Sequence, residues 1–107
     1  YDPDGGFKLY VQDGIRTERL LVDLAAEQGW AWPDYVFRPD YPLLSMDELQ
    51  LFISEKKHLP GVPTAKVIME QGLDLAEMNK ILLEKIEEQA LMILELHERL
   101  KSLENKF

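Results

Sequence analysis

The 107-residue sequence contains no cysteine. That excludes disulfides and thiolate metal sites but leaves the compartment open, because large secreted fibres often manage without disulfides. No stretch approaches the roughly 18 consecutive apolar residues that cross a bilayer, and no signal-peptide pattern is visible. The sequence opens at Tyr1 without a Met and reads as a fragment or tail end, with room for a signal upstream. Basic residues are few, 12 against 20 acidic ones, and the net charge is −8. Nucleic acids and anionic membranes recruit clusters of Lys and Arg, so neither is expected as the main partner. The apolar fraction is 46%, enough for a core, so the chain is not compositionally disordered.

Catalytic chemistry is equally sparse. His58 and His97 are the only histidines, and neither has a ligand at metal spacing. His58, beside Pro60, reads as a cap on the end of the preceding helix, and His97 as a flanking residue of a longer one. Asp2-Pro3-Asp4-Gly5 resembles the start of a calcium loop, but the later acidic ligands are missing and a turn is expected. No Gly-rich phosphate cradle and no Ser/His/Asp arrangement occurs. The adjacent Glu87 and Glu88 read as a solvated face. Neither enzymatic activity nor a cofactor is expected.

The elements point to an α+β chain in three parts: a shaft end or β-hairpin connector over 1–24, a small clasp over 25–73, and an oligomerisation helix over 74–107. Phe7, Leu9 and Val11 alternate with polar neighbours, and Asp13-Gly14 is a two-residue turn signal that needs positive φ. A second strand is expected over Ile15–Leu24, although a lone hairpin is marginal in water and needs a neighbour. Residues 25–44 are irregular and aromatic. Trp30, Trp32, Tyr35 and Phe37, with Phe52 beyond them, are the expected core of the clasp; the functional alternative is an aromatic binding surface. Ser45 and Glu48 form a capping box opening a helix over about 46–57. Pro60-Gly61-Val62-Pro63 interrupts the chain, Thr64 caps a short helix running to about Gln71, and Gly72 stops it.

From Asp74, which forms a second capping box with Glu77, no Pro or Gly interrupts the chain. Such a helix would be roughly 50 Å long at 1.5 Å per residue, too long for the preceding residues to cover. Ile86, Gln89, Ile93, Leu96, Leu100, Leu103 and Phe107 step by 3, 4, 3, 4, 3, 4, a coiled-coil seam with Gln89, Leu96 and Leu103 at position d. Upstream, Leu75, Met78, Leu82 and Ile86 step by 3, 4, 4, which predicts a local change of supercoil near Leu82–Ile86. Leu83, Ala90, Leu91 and Leu94 widen the apolar face, which fits more than two helices or packing of the clasp on the rod. Arg99 at g and Glu104 at the following e support a parallel pair. Gln89 would form one polar layer that fixes register, or remain partly exposed. Burying six Ile/Leu side chains contributes on the order of 10–15 kcal/mol per chain, as an upper bound. Ile at a with Leu at d is the combination of dimers, so the seam alone does not count the strands. A helix folded back on its own domain, or docked on unrelated chains, stays open at this point.

The strings Trp32-Pro33-Asp34-Tyr35-Val36-Phe37, Asp40-Tyr41-Pro42-Leu43, Lys57-His58-Leu59-Pro60-Gly61-Val62-Pro63-Thr64-Ala65 and Gly72-Leu73-Asp74-Leu75-Ala76-Glu77-Met78-Asn79 resemble a C-terminal module of bacterial tail-fibre-like and cell-surface proteins. Leu9-Tyr10-Val11 and Gly14-Ile15-Arg16-Thr17 resemble the segment joining a fibre shaft to it. The resemblance implies a homotrimer that holds three shafts in register, located outside the cell, on its surface or on a phage-like particle. The alternative, an aromatic binding surface, would take a receptor, glycan or other cell-surface partner. The related endosialidase-type chaperone domains cut themselves through a Ser near the domain start, but residues 7–44 contain no Ser, so only the scaffolding role carries over.

Overall fold

The computed structural model describes residues 6–24, 29 and 31–106 of the chain. Among these the regular structure is helical throughout: α1 spans Met46–Lys56, α2 Ala65–Gln71 and α3 Leu75–Glu104, preceded by a single 3-10 turn at Tyr35–Phe37. The expected α+β class is corrected on this point, since no strand occurs among the described residues. The turn signal itself is local and holds: Asp13 and Gly14 both adopt positive φ. Among the described residues no partner strand lies beside their flanking segments, and Phe7, Leu9 and Ile15 stay exposed. A two-stranded ribbon without a covered face does not stabilise itself. The expected turn at Asp2–Gly5, Trp30 and the last seam residue Phe107 lie outside the described residues.

The helices begin where their side chains can satisfy orphan backbone donors. Ser45 accepts from the Glu48 amide at 3.1 Å and Glu48 accepts from the Ser45 amide at 3.0 Å, a complete capping box. Thr64 caps α2 through the Val67 amide, and Asp74 caps α3 through the Glu77 amide at 3.0 Å. The end of α1 differs from expectation. Lys57 takes the left-handed conformation and its amide donates to the Ile53 carbonyl, while His58 sits edge-on to Phe52 with ring centroids 5.4 Å apart. His58 thus belongs to the packing under α1 and not to its cap.

α3 runs for 30 residues, about 45 Å. It stretches the molecule to 68 × 29 × 28 Å with a radius of gyration of 18.9 Å. A compact chain of this length would have a radius of about 13 Å. The turn Tyr35–Phe37 packs on α3. It and the residues just before it carry the only apolar side chains fully enclosed among the described residues, those of Pro33 and Val36. Trp32 and Phe37, expected in the core, are about half exposed, while Tyr35 and Phe52 are half-buried.

The turn is closed by Phe37 and Arg38 amides donating to the Asp34 and Tyr35 carbonyls at 3.1 Å each. Asp34 enters it at φ 148° and ψ −18°, a region that side chains other than glycine rarely adopt. Asp34→Gly is therefore expected to stabilise the folded chain by about 1 kcal/mol, read as a higher chemical-denaturation midpoint with an unchanged slope.

Candidate oligomerisation face

Two opposite faces of α3 carry two different kinds of chemistry. The clasp is held on the first by polar side chains spaced three and four apart, which share one face of a helix. The Tyr35 hydroxyl donates to the Glu84 carboxylate and the Tyr41 hydroxyl donates to that of Glu88. Lys85 bridges the same two carboxylates, 3.4 Å from Glu84 and 3.1 Å from Glu88. The Tyr35 and Tyr41 rings lie 6.0 Å apart at their centroids. Burial and the carboxylate acceptors push the Tyr35 hydroxyl up to about 12, and they raise that of Tyr41 as well. Beneath them a cavity of about 460 Å³ opens between the loop 41–44, α1 and α3, with Leu49, Phe52, Leu59 and Met92 in its lining.

Glu87 lies at the centre of this contact. It is only 6% exposed, and neither carboxylate oxygen has a hydrogen-bond partner. This overturns the expectation that Glu87 and Glu88 form a solvated face: Glu87 is buried under the turn and Glu88 is held half-buried by Tyr41 and Lys85. Removal from water, followed by the negative charges of Asp34 and Glu84, raises the Glu87 carboxyl above its ordinary value of 4.5.

The second face is the seam. Leu75, Leu82, Ile86, Ile93, Leu96, Leu100 and Leu103 are each between 46% and 63% exposed. Met78 is half-buried and Gln89 exposed. At 100° per residue, the mean direction of the nine seam residues is roughly 160° away from that of Glu84, Glu87 and Glu88. The clasp's hydrogen-bonded contacts therefore lie on the far side of the helix. Along the seam, Leu20–Leu24 and Trp32 stand beside Leu75–Ile86 and Gln89 edges the cavity under the clasp, while Ile93, Leu96, Leu100 and Leu103 stay exposed. Leu83, Ala90, Leu91 and Met92 of the wider apolar stripe are half-buried, whereas Leu94 remains exposed. Arg99 and Glu104 are both exposed, and Arg99 pairs within its own helix with Glu95, one turn back, at 2.6 Å. The Glu-before-Arg order over four residues is the favourable one on a helix.

Sequence reasoning followed the upstream seam through Met78 and missed a simpler line through Asn79. Leu75, Asn79, Leu82 and Ile86 step by 4, 3, 4, so the 3-4 spacing runs unbroken from Leu75 to Leu103. Asn79 is exposed on that line, and its amide nitrogen donates to the Leu75 carbonyl at 3.0 Å. With Asn79 in position a, a change of supercoil near Leu82–Ile86 is no longer required. The signal was the sevenfold spacing of Asn79, Ile86, Ile93 and Leu100, obscured by the polar residue at its head.

Among the described residues no group of three or more His, Cys, Asp or Glu could hold a metal ion, and no helix is long and apolar enough to cross a membrane. No family model matches the sequence, and neither a curated protein nor a solved structure is similar to it.

Glu87 generates a pH prediction. A carboxyl whose folded-state pKa is raised contributes its full stability below its unfolded value and loses it as pH rises through the folded one. Glu87→Gln removes the charge, so its melting temperature should exceed that of the natural chain at pH 7 by several degrees, for about 1 kcal/mol. The gap should shrink towards zero near pH 4; thermal scans by circular dichroism over that range test it.

Proposed function

We propose that this chain is a non-enzymatic assembly module of a fibre-like protein, in which α3 joins its counterparts from two other copies as a parallel three-stranded coiled coil. The observation that carries the reading is the exposed seam: a regular, largely apolar stripe along the helix, with the clasp's polar contacts fastened to the opposite side. A helix covered by its own domain would have turned this stripe inward.

Three strands, as against two, rest on the family resemblance of the WPDYVF and KHLPGVPTA strings and on its fibre context. Residues 6–24 precede the clasp and would receive the shaft, so that joining the helices brings the shafts into register. The setting that follows is extracellular, on a cell surface or on a phage-like particle. A second reading, adhesion through an aromatic surface, is favoured by the exposure of Trp32 and Phe37. Tyr35, a further candidate for display, is instead engaged with Glu84.

Placing the same charged residue on two faces tests the assembly reading. Leu100→Asp, in the seam, should abolish assembly at micromolar concentration, while Ser102→Asp, off the seam, should leave the mass in solution unchanged. Equal masses for the two variants would contradict the coiled coil. Trp32→Ala that keeps its assembled mass but no longer adheres to the cell surface would favour adhesion.

A further inference from the structure

Beside the upper half of α3 lies a groove of about 760 Å³, walled on one side by Leu20, Val22, Leu24 and Trp32. Its floor is made of Leu75, Asn79, Leu82 and Ile86, with Ala76 and Leu83 on the flank. The floor is thus the head of the heptad seam, and the wall belongs to a segment some 50 residues earlier in the sequence, on the order of a whole small domain away. Leu20, Val22 and Trp32 are 70%, 48% and 51% exposed, so this wall is not closed by its own chain.

We propose, on the basis of the assembly reading above, that the groove seats α3 of a neighbouring copy, parallel and in register, with the Leu20–Leu24 segment and Trp32 closing over it as an intersubunit strap. Three features fix the occupant. The floor keeps the 3-4 spacing of the lower seam without a break, and such a seam is self-complementary: it fits the same residues of a second copy. In a parallel, in-register pair, contact along Ile93–Leu103 carries the neighbour's Leu75–Ile86 alongside the groove, because the two helices are the same 30-residue element wound in one register. An antiparallel neighbour would bring Leu96 and Leu103 there instead and leave Asn79 facing leucine. Parallel alignment sets Asn79 against its counterparts, where a side-chain amide donates and accepts within one polar layer and fixes register. The Leu20–Leu24 part of the strap lies directly upstream of the clasp, so the same contact ties the N-terminal segment of one copy to the helix of the next.

Trp32 is the reporter. In the Trp30→Phe chain it is the only indole, and its fluorescence and acrylamide quenching are followed against concentration together with sedimentation equilibrium. The expected result is a trimer whose formation coincides with a blue shift of Trp32 and at least a threefold fall in its quenching. An assembled chain with Trp32 still fully quenched overturns the strap and leaves the coiled coil standing. Trp32 already shielded in the dilute monomer means the chain's own residues fill the groove, which also overturns it. A chain that stays monomeric at every concentration removes the assembly reading and the strap together. Val22→Asp in the natural sequence provides an independent check: it should raise the dissociation concentration at least tenfold, and an unchanged concentration contradicts the strap.

Discussion

Everything in this molecule depends on covering one apolar stripe of a 30-residue helix. An isolated helix satisfies its own backbone, but its side chains gain burial only from a neighbour. Here the described residues of one copy leave much of that stripe exposed. Within one copy Val36 and Pro33 are the only apolar side chains fully buried among the described residues, while large residues from Leu75 to Leu103 stand half in water. A protein held together by so small a core is marginal alone, since conformational entropy opposes folding at about 1–2 kcal/mol per residue. Burial of the seam between copies would supply the missing apolar contact, which makes folding and assembly one equilibrium under the proposed function.

The clasp solves a different problem with different chemistry. Its contact with α3 joins an apolar part around Pro33 and Val36 to a polar one: two tyrosine hydroxyls on two glutamates, a lysine between them, and Glu87 buried beneath. Polar partners demand specific geometry, so they fix which side of the helix the clasp occupies, whereas apolar surfaces would have tolerated sliding. That choice keeps the polar contacts off the seam. The cost falls on Glu87, buried without a hydrogen-bond partner, and on Asp34, held in a strained conformation at the mouth of the turn. Both lie at the one junction where the irregular segment meets the rod.

What the sequence made legible follows from how local each interaction is. Ser45, Thr64 and Asp74 cap helices by reaching three residues along the chain, and all three stood out from spacing alone. The long helix was equally plain, because nothing in it breaks the backbone. The hairpin was not settled by its pattern: alternation over Phe7–Val11 states a preference that only a partner strand or a covering surface realises. Glu87 was misread because its burial comes from Pro33 to Val36, some 50 residues away, as heptad position says nothing of what lies above a helix. Asn79 was passed over since polarity hid its place in the repeat. His58 was assigned to a helix end that Lys57 closes by itself, by turning left-handed.

The central claim is that the exposed seam is an interface between copies of this chain, and the absolute mass in solution tests it most directly. Sedimentation equilibrium of the natural chain, from dilute to concentrated, should return three times the 12.4 kDa of one copy and hold that value on moderate dilution. A mass of 12.4 kDa across the whole range, with α3 still helical by circular dichroism, would contradict the account.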